Sequence, residues 1–291
     1  METLNTQFRD LIKQVVYLSK SSTRITEDNV YQEGDGAILP FLDKMVEDLV
    51  LPGSGVDGME NLLDLLDKAE SGKSCLLLPE HYSNLDLSLI SGLVNREGGR
   101  GEDVSRALVA IAGMKLNEEN PVVSAFASAY TRLVIYPSRS LQGLDAVKDR
   151  AEIIRSNAIN RAAMKALIEI KARKKIILVF PSGTRYRPWD PGTKRGLREI
   201  DSYIKAFDYM CLMAINGEVL HVHQGDMMDD YVSPDLVRIT AGPVLSCSEF
   251  RNKARESGNE ADNKQLVADA IMAMLEKMHN EAEQKRQKLL S

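Results

Sequence analysis

The sequence predicts an α/β fold: a mixed, largely parallel central sheet flanked by helices, preceded by a small N-terminal helical domain. Three observations predict it. Short continuous apolar runs recur from Ser74 onward, of the length and composition of strands buried on both faces. Stretches with apolar residues at helical spacing separate those runs, the alternation expected of parallel β-α-β units. Before Ser74 only the helical spacing is found.

The N-terminal segment, residues 1–72, reads as a helical bundle. Phe8, Leu11, Ile12, Val15, Val16 and Leu18 form one amphipathic stripe. Ile38, Leu39, Leu42, Met45, Val46, Leu49 and Val50 form a second, stopped by Pro52 and Gly53. Leu62, Leu63, Leu65, Leu66 and Ala69 form a third, ending near Gly72, and a polar connection with two glycines lies between the first and second. Residues 73–291 read as the α/β catalytic domain. Strands are expected at 76–78, 108–112, 133–136, 176–180 and 210–215, with later ones at 218–223 and 237–241 that would make the sheet mixed. Helices are expected at 85–94, 121–129, 140–173, 200–207 and 263–290, and NREGGRGED (95–103) as a loop.

Composition narrows the function. The formal net charge of −5 argues against a nucleic-acid binder. No apolar run approaches the roughly 20 residues that span a bilayer, and the N-terminus has no apolar core of a secretory signal. The expectation is a soluble protein of the cytoplasm or an organelle stroma. Cys75, Cys211 and Cys247 are widely spaced and read as buried thiols. His221 and His223 alternate on one face of a strand, but no third metal ligand accompanies them.

Two stretches carry candidate chemistry. In LLLPEHYSNLDLSLI (76–90) a strand breaks at Pro79 and presents His81, with Asp86 five positions on. Histidine takes a proton near neutral pH, and a nearby carboxylate holds its tautomer and stabilises the imidazolium. In IILVFPSGTRYRP (176–188) another apolar strand ends at a proline and a glycine-containing loop with Arg185 and Arg187. Alternating arginines in an extended loop share a side, and two guanidinium forks beside Gly183 suit a small phosphate ester. Arg139, after the 133–136 strand, is a third arginine at a strand end, and Lys194, Arg195 and Arg198 form a further cationic group. The glycines make no P-loop, since no Gly-Lys-Ser/Thr follows them.

These blocks resemble the glycerolipid acyltransferases. His81-Tyr-Ser-Asn-Leu-Asp86 is similar to that family's H-x4-D signature, and Phe180-Pro-Ser-Gly-Thr-Arg185 to its F-P-E-G-T-R block. Pro181-Ser-Gly-Thr-Arg185-Tyr-Arg187-Pro188 most resembles the P-S-G-G-R-x-R-P loop of the soluble plastid glycerol-3-phosphate acyltransferases, which also carry a helical bundle ahead of the catalytic domain. The resemblance covers about residues 76–217. It implies transfer of a fatty acyl group from acyl-CoA or acyl carrier protein to the sn-1 hydroxyl of glycerol 3-phosphate, the first step of phospholipid synthesis, with no cofactor or metal. His81 would be the general base and Asp86 its orienting partner. Arg139, Gly183, Thr184, Arg185 and Arg187 would bind substrate, Arg139 as part of a basic pair.

The sequence departs from the family at two positions. Ser140 stands where a family histidine is expected, and Ser182 replaces the glutamate of the membrane-bound relatives. Lys115 matches a common family lysine without an assigned role. The alternative acceptor is 1-acylglycerol 3-phosphate. A thioesterase and a non-catalytic phosphate-binding module are the readings from other classes. Ser83 invites a reading as nucleophile, yet the chemistry requires no acyl-enzyme. Backbone N–H groups of the 182–184 turn or the 81–83 turn are the candidate oxyanion donors. The product is amphipathic, so peripheral membrane contact through an amphipathic helix is compatible with this chemistry.

Overall fold

The computed structural model describes residues 1–19, 24–114, 120–141, 144–225, 227–256 and 262–291. In chain order its elements begin with β1 (Glu2–Thr3), α1 (Leu4–Gln7), α2 (Arg9–Leu18), β2 (Tyr31–Gln32), α3 (Leu39–Leu49), β3 (Gly55–Asp57) and α4 (Met59–Glu70). There follow β4 (Cys75–Pro79), α5 (Asp86–Arg96), α6 (Gly101–Ala107), β5 (Leu108–Gly113), α7 (Pro121–Ala127), β6 (Arg132–Ile135) and α8 (Arg150–Ala172). The rest are β7 (Ile176–Leu178), α9 (Ile200–Ala206), β8 (Tyr209–Asn216), β9 (Leu220–His221), β10 (Tyr231–Val232), β11 (Arg238–Ala241), β12 (Leu245–Ser246), α10 (Cys247–Glu256) and α11 (Asn263–Leu290).

The chain forms two compact units. The first comprises residues 1–9, 43–108 and 174–291. Its sheet runs in the order β7-β4-β8-β11-β3, with β12 also paired to β8. β4 is parallel to both β7 and β8, while β8 and β11 are antiparallel and β11 and β3 parallel. β4 is therefore an interior strand, and all five of its residues are buried, which explains why its sequence is continuously apolar instead of alternating. α4 and α11 pack against β8. A second, three-stranded antiparallel sheet of β1, β10 and β9 belongs to the same unit.

The second unit comprises residues 10–42 and 109–173. β5 and β6 pair in parallel and β2 adds antiparallel to β6. α8 packs on β6 through a stripe of Ser156, Ile159, Ala163, Leu167 and Ile170 at helical spacing.

The expected α/β class and mixed, mostly parallel sheet flanked by helices are found. Of the segment expected as a helical bundle, residues 1–9 and 43–72 fall in the first unit and 10–42 in the second. Its three helical stripes are α2, α3 and α4, with β1, β2 and β3 among them. Part of the stretch read as the loop NREGGRGED is helical: α6 starts at Gly101, where a Cβ would meet the Val94 carbonyl oxygen at 2.3 Å, so only glycine allows this approach. The long helix starts at Arg150, later than residue 140, after a 3₁₀ turn at Ser138–Leu141. The three cysteines are buried thiols, and burial pushes Cys75 and Cys211 up to about 12.

β4 fixes where His81 emerges, so its packing underlies the site. Leu77 is 1% exposed between β7 and β8. Leu77→Ala is expected to lower the unfolding free energy by about 3 kcal/mol, read from urea unfolding.

Candidate active site

β4 ends at Pro79 and the chain turns through residues 80–85 into α5, whose first residue is Asp86. Asp86 is 2% exposed, and several donors of the turn are aimed at it. Its Oδ2 accepts from Tyr82 N–H at 2.6 Å and Ser83 N–H at 2.9 Å, and lies 2.8 Å from His81 Nδ1. Its Oδ1 accepts from Ser83 N–H at 3.0 Å and from the Ser83 hydroxyl at 2.8 Å. A buried carboxylate is tolerated because it is fully hydrogen-bonded and stands at a helix N-terminus. The carboxylate accepts, so Nδ1 of His81 carries the hydrogen and Nε2 is the ring nitrogen left to act as a base.

The sequence 176–188 meets this turn directly. The Phe180 ring stacks on His81 with centroids 3.9 Å apart and planes 17° from parallel. Tyr186 N–H donates to the His81 carbonyl at 2.8 Å. Gly183 has φ +63°, and a Cβ there would lie 2.2 Å from Leu197 Cδ1. The loop thus requires glycine both for its backbone and for its contact. Ser182 is buried and its hydroxyl donates to the Thr184 carbonyl at 2.7 Å.

The two candidate arginines are held differently. Arg185 Nη1 pairs at 3.2 Å with Asp230, a carboxylate 1% exposed that also accepts from His223 N–H at 3.0 Å and contacts His223 Nδ1 at 3.1 Å. Arg187 donates its backbone N–H to Thr193 Oγ1 at 2.9 Å, and its guanidinium has no carboxylate partner among the described residues. His81, Asp86, Gly183, Thr184, Arg185 and Arg187 all belong to the first unit. Arg139 belongs to the second, and its side chain, like Lys115, lies outside the described residues.

Several expectations change. Ser83 is not a free nucleophile, since its hydroxyl donates to Asp86 and accepts from Leu85 N–H at 3.1 Å. The N–H groups of Tyr82 and Ser83 are consumed by Asp86, and that of Gly183 by the Phe180 carbonyl at 2.9 Å. His81, Ser182 and Thr184 N–H have no partner among the described residues and are the candidates left in the two turns. Lys194, Arg195 and Arg198 are not a free cationic group: they pair with Glu276, Asp269 and Asp262. His221 lies 2.8 Å from the Ser233 hydroxyl and 3.3 Å from Glu218, whereas His223 turns to Asp230, so the two rings face different partners.

A network that sequence reasoning missed stands behind the turn. Glu80, 5% exposed, accepts from Ile215 N–H at 2.9 Å and from the Tyr82 hydroxyl at 2.9 Å, and lies 2.9 Å from His279 Nδ1. His279 is on α11, and its carbonyl accepts from Asn216 Nδ2 at 3.1 Å. The one local signal was a glutamate directly before His81 at the end of an apolar strand. His279, almost 200 residues on, had none.

The Acyltransferase family model matches residues 56–226, more than half of the chain, and the match contains both blocks of the site. The chain belongs to this acyltransferase family, whose members transfer acyl groups in lipid synthesis. No curated protein matches the sequence.

Burial opposes the charged form of His279, but the adjacent Glu80 carboxylate outweighs it and raises the imidazole above its ordinary 6.5. A raised folded-state value gives stability that is complete below the unfolded value and disappears as pH climbs through the folded one. His279→Gln is therefore expected to lower unfolding free energy more at pH 6 than at pH 9, measured by urea unfolding of both proteins at each pH.

Proposed function

We propose that this acyltransferase moves a fatty acyl group from acyl-CoA or acyl carrier protein to the sn-1 hydroxyl of glycerol 3-phosphate. The observation that carries the reading is the direct junction of the two loops. The Tyr186 N–H to His81 carbonyl bond ties a loop bearing an arginine without a carboxylate partner to the strand end bearing the base. A base and an anion-binding fork on tied loops suit an acceptor with a hydroxyl at one end and a phosphate at the other.

In the reaction His81 Nε2 takes the proton of the acceptor hydroxyl as its oxygen attacks the thioester carbonyl. Asp86 stabilises the imidazolium, as its contact with Nδ1 allows. His81, Ser182 and Thr184 N–H, without partners among the described residues, are the donors open to the oxyanion. The attack forms the C–O ester bond, collapse of the oxyanion restores the carbonyl and breaks the C–S bond, and His81 returns the proton to the thiolate. Arg187 supplies the charge for the phosphate, with Arg185, Gly183 and Thr184 shaping the loop. The alternative acceptor is 1-acylglycerol 3-phosphate, which bears the same phosphate.

Thiol release from palmitoyl-CoA and from palmitoyl acyl carrier protein tests the reading, with each acceptor in turn and with neither. Release dependent on glycerol 3-phosphate is expected. Release only with the lysolipid would replace it by the alternative, and release with neither would indicate a thioesterase. In this assay His81→Ala is expected to lower kcat at least ~100-fold, and a loss within about tenfold would remove His81 as the base. Arg187→Ala is expected to raise the acceptor KM roughly 10- to 100-fold with a smaller change in kcat, the loss of one charge-assisted hydrogen bond.

A further inference from the structure

α8 buries one stripe and leaves another bare. Its solvent face is formed by Ala151, Ile154, Asn157, Arg161, Met164 and Ile168, spaced three or four apart and all exposed. A solvent-facing stripe of a globular helix is ordinarily polar. Here Ile154 is 57%, Met164 58% and Ile168 68% exposed. From Ile154 to Ile168 the stripe runs about 21 Å along the helix.

The charges on the same helix are one-sided. Its two acidic residues are each matched by an arginine within a turn: Glu152 with Arg155 at 3.6 Å and Glu169 with Arg173 at 3.9 Å. Arg150, Arg161 and Lys165 are exposed and have no acidic partner among the described residues. Lys194, Arg195 and Arg198, by contrast, all have one. In a chain of net charge −5, three cations with no acidic partner among the described residues thus stand on the helix that carries the bare apolar stripe.

We propose that this face of α8 docks the protein on an anionic lipid surface, with Ile154, Met164 and Ile168 in the interface and Arg150, Arg161 and Lys165 at the headgroups. The position of Arg161 selects a bilayer over a protein partner. It lies on the stripe between Ile154 and Met164. A dry protein contact would strip its charge of water unless the partner set an acid into the apolar stripe opposite it. At a bilayer surface a long side chain buries its stem and leaves its guanidinium among headgroup phosphates. The stripe is a convex ridge of one helix, a shape suited to a deformable surface. The inference rests on this helix alone and holds for either acceptor.

Co-sedimentation of the full chain with vesicles tests it, using phosphatidylcholine alone and with phosphatidylglycerol added. Binding is expected to the anionic vesicles, falling as salt is added, with little to the neutral ones. The double substitution Arg161→Gln, Lys165→Gln is expected to lower the partition coefficient about 25-fold, roughly fivefold for each cation. Ile154→Ser, Met164→Ser and Ile168→Ser together are expected to lower it at least ~10-fold. All five positions are exposed, and urea unfolding at the wild-type midpoint would establish that the variants fold. The proposal is overturned by absence of binding to anionic vesicles, by equal binding to neutral ones, or by both variants binding as the wild type does. It is also overturned if the triple variant alone becomes monomeric in the absence of lipid, which would make the face a contact between copies.

Discussion

The buried carboxylate of Asp86 is the constraint on which the site depends. A charge at 2% exposure persists only if its surroundings supply donors, and here two backbone N–H groups, a hydroxyl and an imidazole N–H supply them. This condition shapes the whole turn. It fixes the backbone from Tyr82 to Asp86, takes the Ser83 hydroxyl out of the chemistry and sets the tautomer of His81. It also determines what the turn cannot do. Tyr82 and Ser83 N–H are committed to the Asp86 carboxylate and are not free to donate to anything else.

The loop at 180–186 is held as firmly as this turn. Phe180 covers one face of the His81 ring, Tyr186 N–H closes on the His81 carbonyl, and Gly183 allows the chain to pass Leu197. Behind both, Glu80 links the end of β4 to β8 through Ile215 N–H, to Tyr82 through its hydroxyl and to α11 through His279. Burial, followed by the Glu80 charge, raises the Tyr82 phenol above its ordinary value, which favours the protonated hydroxyl as the donor to Glu80. The turn is therefore braced from three directions.

The strands that position the site were legible because each leaves a continuous apolar run, as β4, β7 and β8 do. His81 and Asp86 were legible because their contact is local, closed within a single turn. The partners of Arg185 and Glu80 were not. Asp230 and His279 reach the site through tertiary packing of β10 and α11, and nothing within their own neighbourhoods distinguishes them from surface polar residues. The cationic group Lys194, Arg195 and Arg198 misled for the same reason. Its neutralising acids lie on α11 and at its N-cap, about 70 residues away in sequence. The start of α6 was missed because GGRG reads as a loop, whereas Gly101 is there for a close contact with α5.

The unequal fates of Arg185 and Arg187 bear on how such a loop would hold a phosphate. A guanidinium already matched by a buried carboxylate contributes little net attraction, because its charge is offset at 3.2 Å. What it keeps is direction, since a fork fixed on one side by Asp230 presents its remaining N–H groups at a set angle. A guanidinium without a carboxylate partner keeps its charge and gives up that rigidity. Under the proposed reading the two arginines are not duplicates: Arg185 orients and Arg187 attracts. Under that reading an anion-binding loop is compatible with a negative net charge, since a guanidinium with no carboxylate partner among the described residues stands two positions from a fixed one.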